Sequence, residues 1–249
     1  MRFCNIFERF CLLFNLKKDF IESAKNGDAE AVQKMIFQKI NLDKTDDFGN
    51  TALLQASCFG HFEIVKILIN EKSEINHVNR FGTSALLKAT SRGHFEVLKF
   101  LIKNNAKINH QNISGFTALM IASVETVVFP EMSKILDFLI LSKSDVNILC
   151  NDGESALQKS ILFNHFDVAE KLVFAGADTS LVLGKLKVNS QIDILKNIIK
   201  KYEEHLLKIS KSFLIFSDFG KMLPTLDNHF PLEIIYFEIN DLISNINIW

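Results

Sequence analysis

Apolar residues in this chain fall into short helical stripes that come in pairs. Leu53 and Ala56 lie three apart on one helical face, and Ile64, Val65, Leu68 and Ile69 follow with the spacing of a buried stripe. Gly60-His61 breaks the first helix from the second. Ahead of the pair, Gly49 ends a tight turn and Thr51 supplies an N-cap hydroxyl. The small pair Ala56-Ser57 lets a neighbouring helix come close, and Ile75-Asn76 leads into a returning loop. The whole arrangement then recurs: Gly27, Gly60 and Gly93 stand 33 residues apart, and so do Gly49, Gly82 and Gly115. The stretch from Gly60 to Lys66 is matched residue for residue in character by Gly93 to Lys99, and Thr51 by Ser84. This pattern predicts stacked helix–turn–helix–loop units, a fold that presents a long surface and does not readily enclose a large pocket.

Gly49, Thr51, Leu53, Ala56, Gly60, His61, Glu63, Ile64, Val65, Lys66, Leu68 and Ile69 agree in register with a known unit. The chain resembles the ankyrin repeats, whose pattern runs glycine–any–Thr–Pro–Leu–His, then a small pair, Gly-His and a Glu-Ile-Val-Lys-Leu-Leu helix. The resemblance implies an all-α ankyrin-repeat solenoid with five units over about residues 17–182. Before it, residues 1–16 are expected to form a capping helix, and after it residues 183–249 a helical C-terminal region. The fourth unit carries an insertion near Thr126–Met132, around Pro130, because Gly115 to Gly153 spans 38 residues. The family's Pro is Ala52, Ala85, Ala118 and Ala156 here, and its His is Leu54, Leu87, Met120 and Gln158. The hydrogen bond that this His makes in the family is therefore absent, and aliphatic packing must replace it in the first three copies.

Composition narrows the reading further. The 249 residues are 48% apolar and 23% charged with a net charge of −1, so nothing draws the whole chain toward nucleic acid or an anionic membrane. Abundant Lys, Asn, Ile and 23 Phe suggest an AT-biased genome, such as an intracellular bacterium, a large virus or a protist. Cys4, Cys11, Cys58 and Cys150 show no paired or metal-ligand spacing and read as free thiols of a reducing compartment. No apolar run reaches the roughly 18 residues of a membrane span. The short apolar core Phe10–Phe14 has Glu8 ahead of it and no small-residue cleavage site behind it, so a capping helix is expected rather than a signal peptide. A cytoplasmic monomer follows, with delivery into a host cell as one way such a protein acts.

Candidate chemistry is thin. His61 and His94, and likewise His77 and His110, recur at the repeat period, which invites a metal reading. Equivalent positions in adjacent units sit about 8–10 Å apart, too far for two ligands each about 2 Å from one zinc. His61, His94 and His165 are therefore read as turn-capping residues. No nucleophile elbow, phosphate loop or carboxylate pair is present, so no catalytic, cofactor or metal residues are assigned. Lys185–Lys211 is helical in pattern, with the stripe Ile192, Leu195, Ile199, Tyr202 and Leu206 facing inward and a mixed-charge face outward. It is expected to close the open end of the stack.

The resemblance implies protein binding on the concave side, through loop tips and first helices. Those positions are Asp47, Phe48 and Asn50; Arg80, Phe81 and Thr83; Ile113, Ser114 and Phe116; and, before the Gly-His breaks, Cys58, Phe59, Ser91 and Arg92. Phe48, Phe59, Phe81, Phe116 and Phe163 either form an aromatic stripe or pack between loops as spacers. Near the C-terminus, Phe230-Pro231-Leu232-Glu233-Ile234-Ile235 resembles the opening of an F-box, which docks on ubiquitin-ligase adaptors. Two functions remain open: a non-catalytic protein-interaction scaffold, or a substrate adaptor for ubiquitination recruiting a ligase through Pro231 to Ile243. An enzyme housed in residues 183–249 is the third and weakest.

Overall fold

The computed structural model describes residues 20–125, 131–183 and 189–217. The expected N-terminal cap at 1–16, the insertion around Pro130 and the F-box-like stretch at 230–243 lie outside those residues, wholly or in large part. The chain is an all-α repeat solenoid. Its compact units comprise residues 1–159 and residues 160–249.

Among the described residues, the first unit holds four helix pairs: α1 (Phe20–Lys25) with α2 (Ala29–Phe37), α3 (Ala52–Phe59) with α4 (Phe62–Asn70), α5 (Ala85–Ser91) with α6 (Phe95–Lys103), and α7 (Ala118–Val124) with α8 (Met132–Leu141). First helices pack on first helices, α1 on α3, α3 on α5 and α5 on α7. Second helices do the same, α2 on α4, α4 on α6 and α6 on α8. Ala24, Ala56, Ala89 and Ala122 are fully buried, which gives the first helices their close approach. Of its predicted stripe α4 buries Ile64, Val65 and Leu68 and leaves Ile69 half-buried, and α6 buries the equivalent Val97, Leu98 and Leu101. Edge-to-face rings join this layer, Phe62 on Phe100 at 5.6 Å and Phe95 on Phe138 at 5.7 Å between centroids. Part of the high phenylalanine content thus fastens one unit to the next.

Local chemistry starts each first helix as the sequence suggests. Thr51, Ser84 and Thr117 sit at the N-cap in extended backbone, and each hydroxyl accepts from the third N–H, of Leu54, Leu87 and Met120. Those last three side chains stand where the family has His, and all are buried to 1% exposure, so aliphatic packing does replace the missing bond. The second helices end differently. Lys39, Lys72, Asn105 and Lys143 take left-handed backbone, φ 60–70°, immediately after α2, α4, α6 and α8, where glycine is the unstrained choice.

α9 (Ala156–Leu162) begins in the first unit, and the second continues with α10 (Phe166–Phe174), α11 (Ser180–Leu183) and α12 (Asn189–Ser217). Within the second unit α12 packs along α10. Leu195 and Ile198 are its buried contacts, Tyr202 and His205 meet Phe174 at 5.4 and 5.5 Å, and Lys201 pairs with Glu170 at 3.0 Å. No helix among the described residues is long and apolar enough to cross a membrane.

Candidate protein-binding surface

The loops between helix pairs are built alike. Asp46, Asn79 and Asn112 each open one, their Oδ1 accepting from two backbone N–H groups: Phe48 and Asn50, Phe81 and Thr83, Ser114 and Phe116. Successive loops are then tied by backbone bonds, Arg80 N–H to Phe48 O at 3.0 Å and Ile113 N–H to Phe81 O at 3.2 Å. Gly82 is needed at such a crossing: its φ is +66°, and a Cβ there would stand 2.9 Å from the Ile113 nitrogen. Burial opposes ionisation of Asp46, but hydrogen bonds from Asn50, Phe48 and Gln55 hold its carboxyl below the usual range.

Histidines add a second set of ties. His77 Nε2 donates to Gly49 O at 3.0 Å and His110 Nε2 to Gly82 O at 2.7 Å, linking each loop to the one before. His61 Nε2 donates to Lys25 O at 2.8 Å and His94 Nε2 to Cys58 O at 3.1 Å. A carbonyl only accepts, so all four rings carry a proton on Nε2. The turn-capping expectation is corrected for His61 and His94. They stand at the N-caps of α4 and α6 but make no cap bond there, and instead bond carbonyls in the first helix of the preceding repeat; His165, at the N-cap of the helix Phe166–Phe174, makes no cap bond either. Their Nε2 atoms are committed to these bonds and not turned toward a shared metal.

On such a framework the loop tips stay exposed. Phe48 is 61% exposed, Phe81 52% and Ile113 64%, with Phe59 exposed at the end of α3. Asp47, Arg80, Ser114 and Arg92 are exposed too, while Thr83 and Ser91 are half-buried. Three of the residues proposed from sequence lie elsewhere. Asn50 is buried, bonded to Asp46 and accepting from Asn79 at 2.8 Å, and Cys58 is a buried free thiol. Phe116 is a spacer, half-buried with the Lys159 ammonium 4.5 Å above its ring. Phe163 is exposed, in the second unit. Sequence reading missed the outward positions of the first helices, Gln55, Lys88 and Ile121. The helical spacing between buried neighbours could have identified them.

A cluster of a different kind lies at the fourth loop, where Cys150, Asp152 and Glu154 bring ligand atoms within 4.8 Å of one another. Glu154 is already engaged, accepting from Lys159 at 2.8 Å. Burial works against the Lys159 ammonium, yet the hydrogen bond from it to Glu154 raises its pKa above the ordinary value. The ammonium repels a cation, so these residues do not fit a metal.

A repeated helix pair presenting ordered loops defines a class of interaction solenoid, in which surface and not pocket carries function. The family model for ankyrin repeats, three copies, matches residues 20–112 and 71–141. Residues 20–141 of the chain are thus ankyrin repeats, and ankyrin repeats are protein–protein interaction modules. No curated protein matches it.

Proposed function

We propose that this chain is a non-catalytic scaffold that binds a partner protein across the concave face, formed by loop tips and first helices. The observation that carries the reading is the exposure of Phe48 and Phe81, 61% and 52%, on loops that a backbone bond ties to each other, with the Phe81 loop tied to the following one as well. Large aromatic side chains left in water on a rigid framework cost little conformational entropy when a partner covers them. We take the repeat region as five units over 17–182, with the region from 183 onward closing the stack, and place the protein in the cytoplasm. The test is the double variant Phe81→Ala/Arg92→Ala. It should lose at least tenfold in affinity for a partner captured by the full chain, with an unchanged circular dichroism melt. Unchanged affinity rejects the face.

The ubiquitination adaptor stands on the motif Pro231-Leu232-Glu233 alone. A chain ending at residue 217 separates the two readings. Loss of ligase subunits from the captured set, with the other partners kept, favours the adaptor, and an unchanged set favours the scaffold.

A further inference from the structure

We infer that the first-helix face around α5 is a cationic seat for an acidic, extended protein segment flanked by apolar side chains, an inference that rests on the concave-face reading above. Ala85, Leu86, Leu87, Ala89 and Thr90 of α5 are buried. The positions left toward solvent are Lys88, Ser91 and Arg92 just past the helix end, which share one face by their three- and four-residue spacing. Arg80 adds a third cation from the loop leading into α5, where its backbone N–H is fixed on Phe48 O.

Several other basic residues in the same unit are paired with acids, unlike these three cations. Lys34 pairs with Glu30, Lys66 with Glu63 and Lys134 with Glu131, each acid one helical turn away. α5 contains no acid, and among the described residues no ion pair reaches Arg80, Lys88 or Arg92. Neighbouring units do not continue the charge. Gln55 and Ile121 occupy the place of Lys88, and Phe59 and Glu125 that of Arg92. The basic patch is thus one unit wide, bordered by exposed Phe48, Phe59, Phe81 and Ile113.

Charge complementarity selects the occupant. Guanidinium groups meet carboxylates through paired, charge-assisted hydrogen bonds, and the surrounding aromatic rings take apolar side chains. Adjacent units are about 10 Å apart and an extended chain advances about 3.3 Å per residue, so apolar anchors belong about three residues to either side of the acids. A nucleic acid fits less well, because Asp47 and Glu125 stand at the margins and the whole chain carries −1.

The test is selection of a random twelve-residue peptide library displayed on phage against the full chain, followed by fluorescence anisotropy of an enriched, labelled peptide. Enriched sequences should carry one or two acids with apolar residues about three positions away. Arg80→Glu with Arg92→Glu should weaken binding at least tenfold, and circular dichroism should show the fold kept, with Arg92→Gln as the milder variant if it is not. A selection that yields no peptides, or acid-free ones, overturns the inference. So does labelled polyuridylate binding more tightly than the peptide. If charge reversal has no effect while Phe48→Ala/Phe81→Ala weakens binding, the acidic partner is wrong and the face is right. If neither pair matters, the face itself is wrong.

Discussion

His94 donates its Nε2–H to the carbonyl oxygen of Cys58, 3.1 Å away and 36 residues earlier in the chain. Cys58 lies in the last turn of α3, where a helix leaves its carbonyls without partners of its own. The imidazole of one unit therefore completes the helix end of the unit before it. The same ring lies against Gly60, whose φ of +76° closes α3, and a Cβ at Gly60 would stand 2.5 Å from His94 Nδ1. Glycine and histidine in the two Gly-His breaks are thus partners across units, and their spacing is a record of that contact.

Replacing His94 by Ala should cost about 1–3 kcal/mol, since the Cys58 carbonyl is left without its donor. Gly60→Ala should cost about 1–2 kcal/mol for the left-handed backbone, plus the clash with the ring. Combined, the two should cost at least about 0.5 kcal/mol less than their sum, because removing the ring removes the clash. Urea unfolding of the wild type, both single variants and the double variant measures this. Strict additivity would show that the ring is not where the clash arises.

Stability should fall with acid in a window set by this histidine. Burial lowers the His94 pKa, the bond to Cys58 raises it, and the nearby His61 and Arg92 lower it, leaving it below the ordinary value of about 6.5. The unfolded chain therefore takes up the proton first. Its contribution is complete above about pH 6.5 and is lost as pH falls below that value. The Asp46 carboxyl, held low, titrates only in stronger acid. Urea midpoints between pH 8 and pH 5.5 should decline in the wild type and decline less in His94→Gln. Parallel declines would assign the effect to another group.

Much of this was legible in the chain, for physical reasons. The apolar stripe of α4 and the N-cap hydroxyls Thr51 and Ser84 are local features, so spacing alone places them. Asn50 and Cys58 were misplaced because neighbouring units decide their burial: Asn79 reaches across a loop to bond Asn50, and the packed first helices cover Cys58. His61 and His94 likewise read as local caps, since a bond to a carbonyl 36 residues away has no local signature. Lys88 escaped notice because its importance lies in what α5 lacks, an acid one turn away.

Relief of backbone strain should stabilise the stack. Lys72 follows α4 with φ +70° and is exposed. A side chain in left-handed backbone costs about 1–2 kcal/mol, while glycine gives back about 0.5–1 kcal/mol in unfolded-state entropy. Lys72→Gly should therefore gain about 0.5–1 kcal/mol. Lys143→Gly, two repeats further on, should add to it nearly independently, and Lys39→Gly, in the repeat packed against α4, should gain a similar amount. Thermal and urea unfolding of the triple variant check the sum. A loss would mean that the lysine stems make packing contacts worth more than the strain.

The fourth loop replaces the Asx side chain of its predecessors with Cys150, and a buried ion pair stands beside it. Lys159 has only 7% of its side chain exposed, and its ammonium is 2.8 Å from Glu154 and 4.5 Å above the Phe116 ring. Removing the acid strands the cation, whereas removing the cation leaves a carboxylate that is 25% exposed and can turn to water. Glu154→Ala should accordingly cost about 2–4 kcal/mol, and Lys159→Met, which keeps an unbranched stem on Phe116, less than about 1 kcal/mol. Both together should be no worse than Lys159→Met alone. Denaturant unfolding of the three variants settles the order, and a larger cost for Lys159→Met than for Glu154→Ala would show that the cation–ring contact, not the ion pair, holds this end of the first unit.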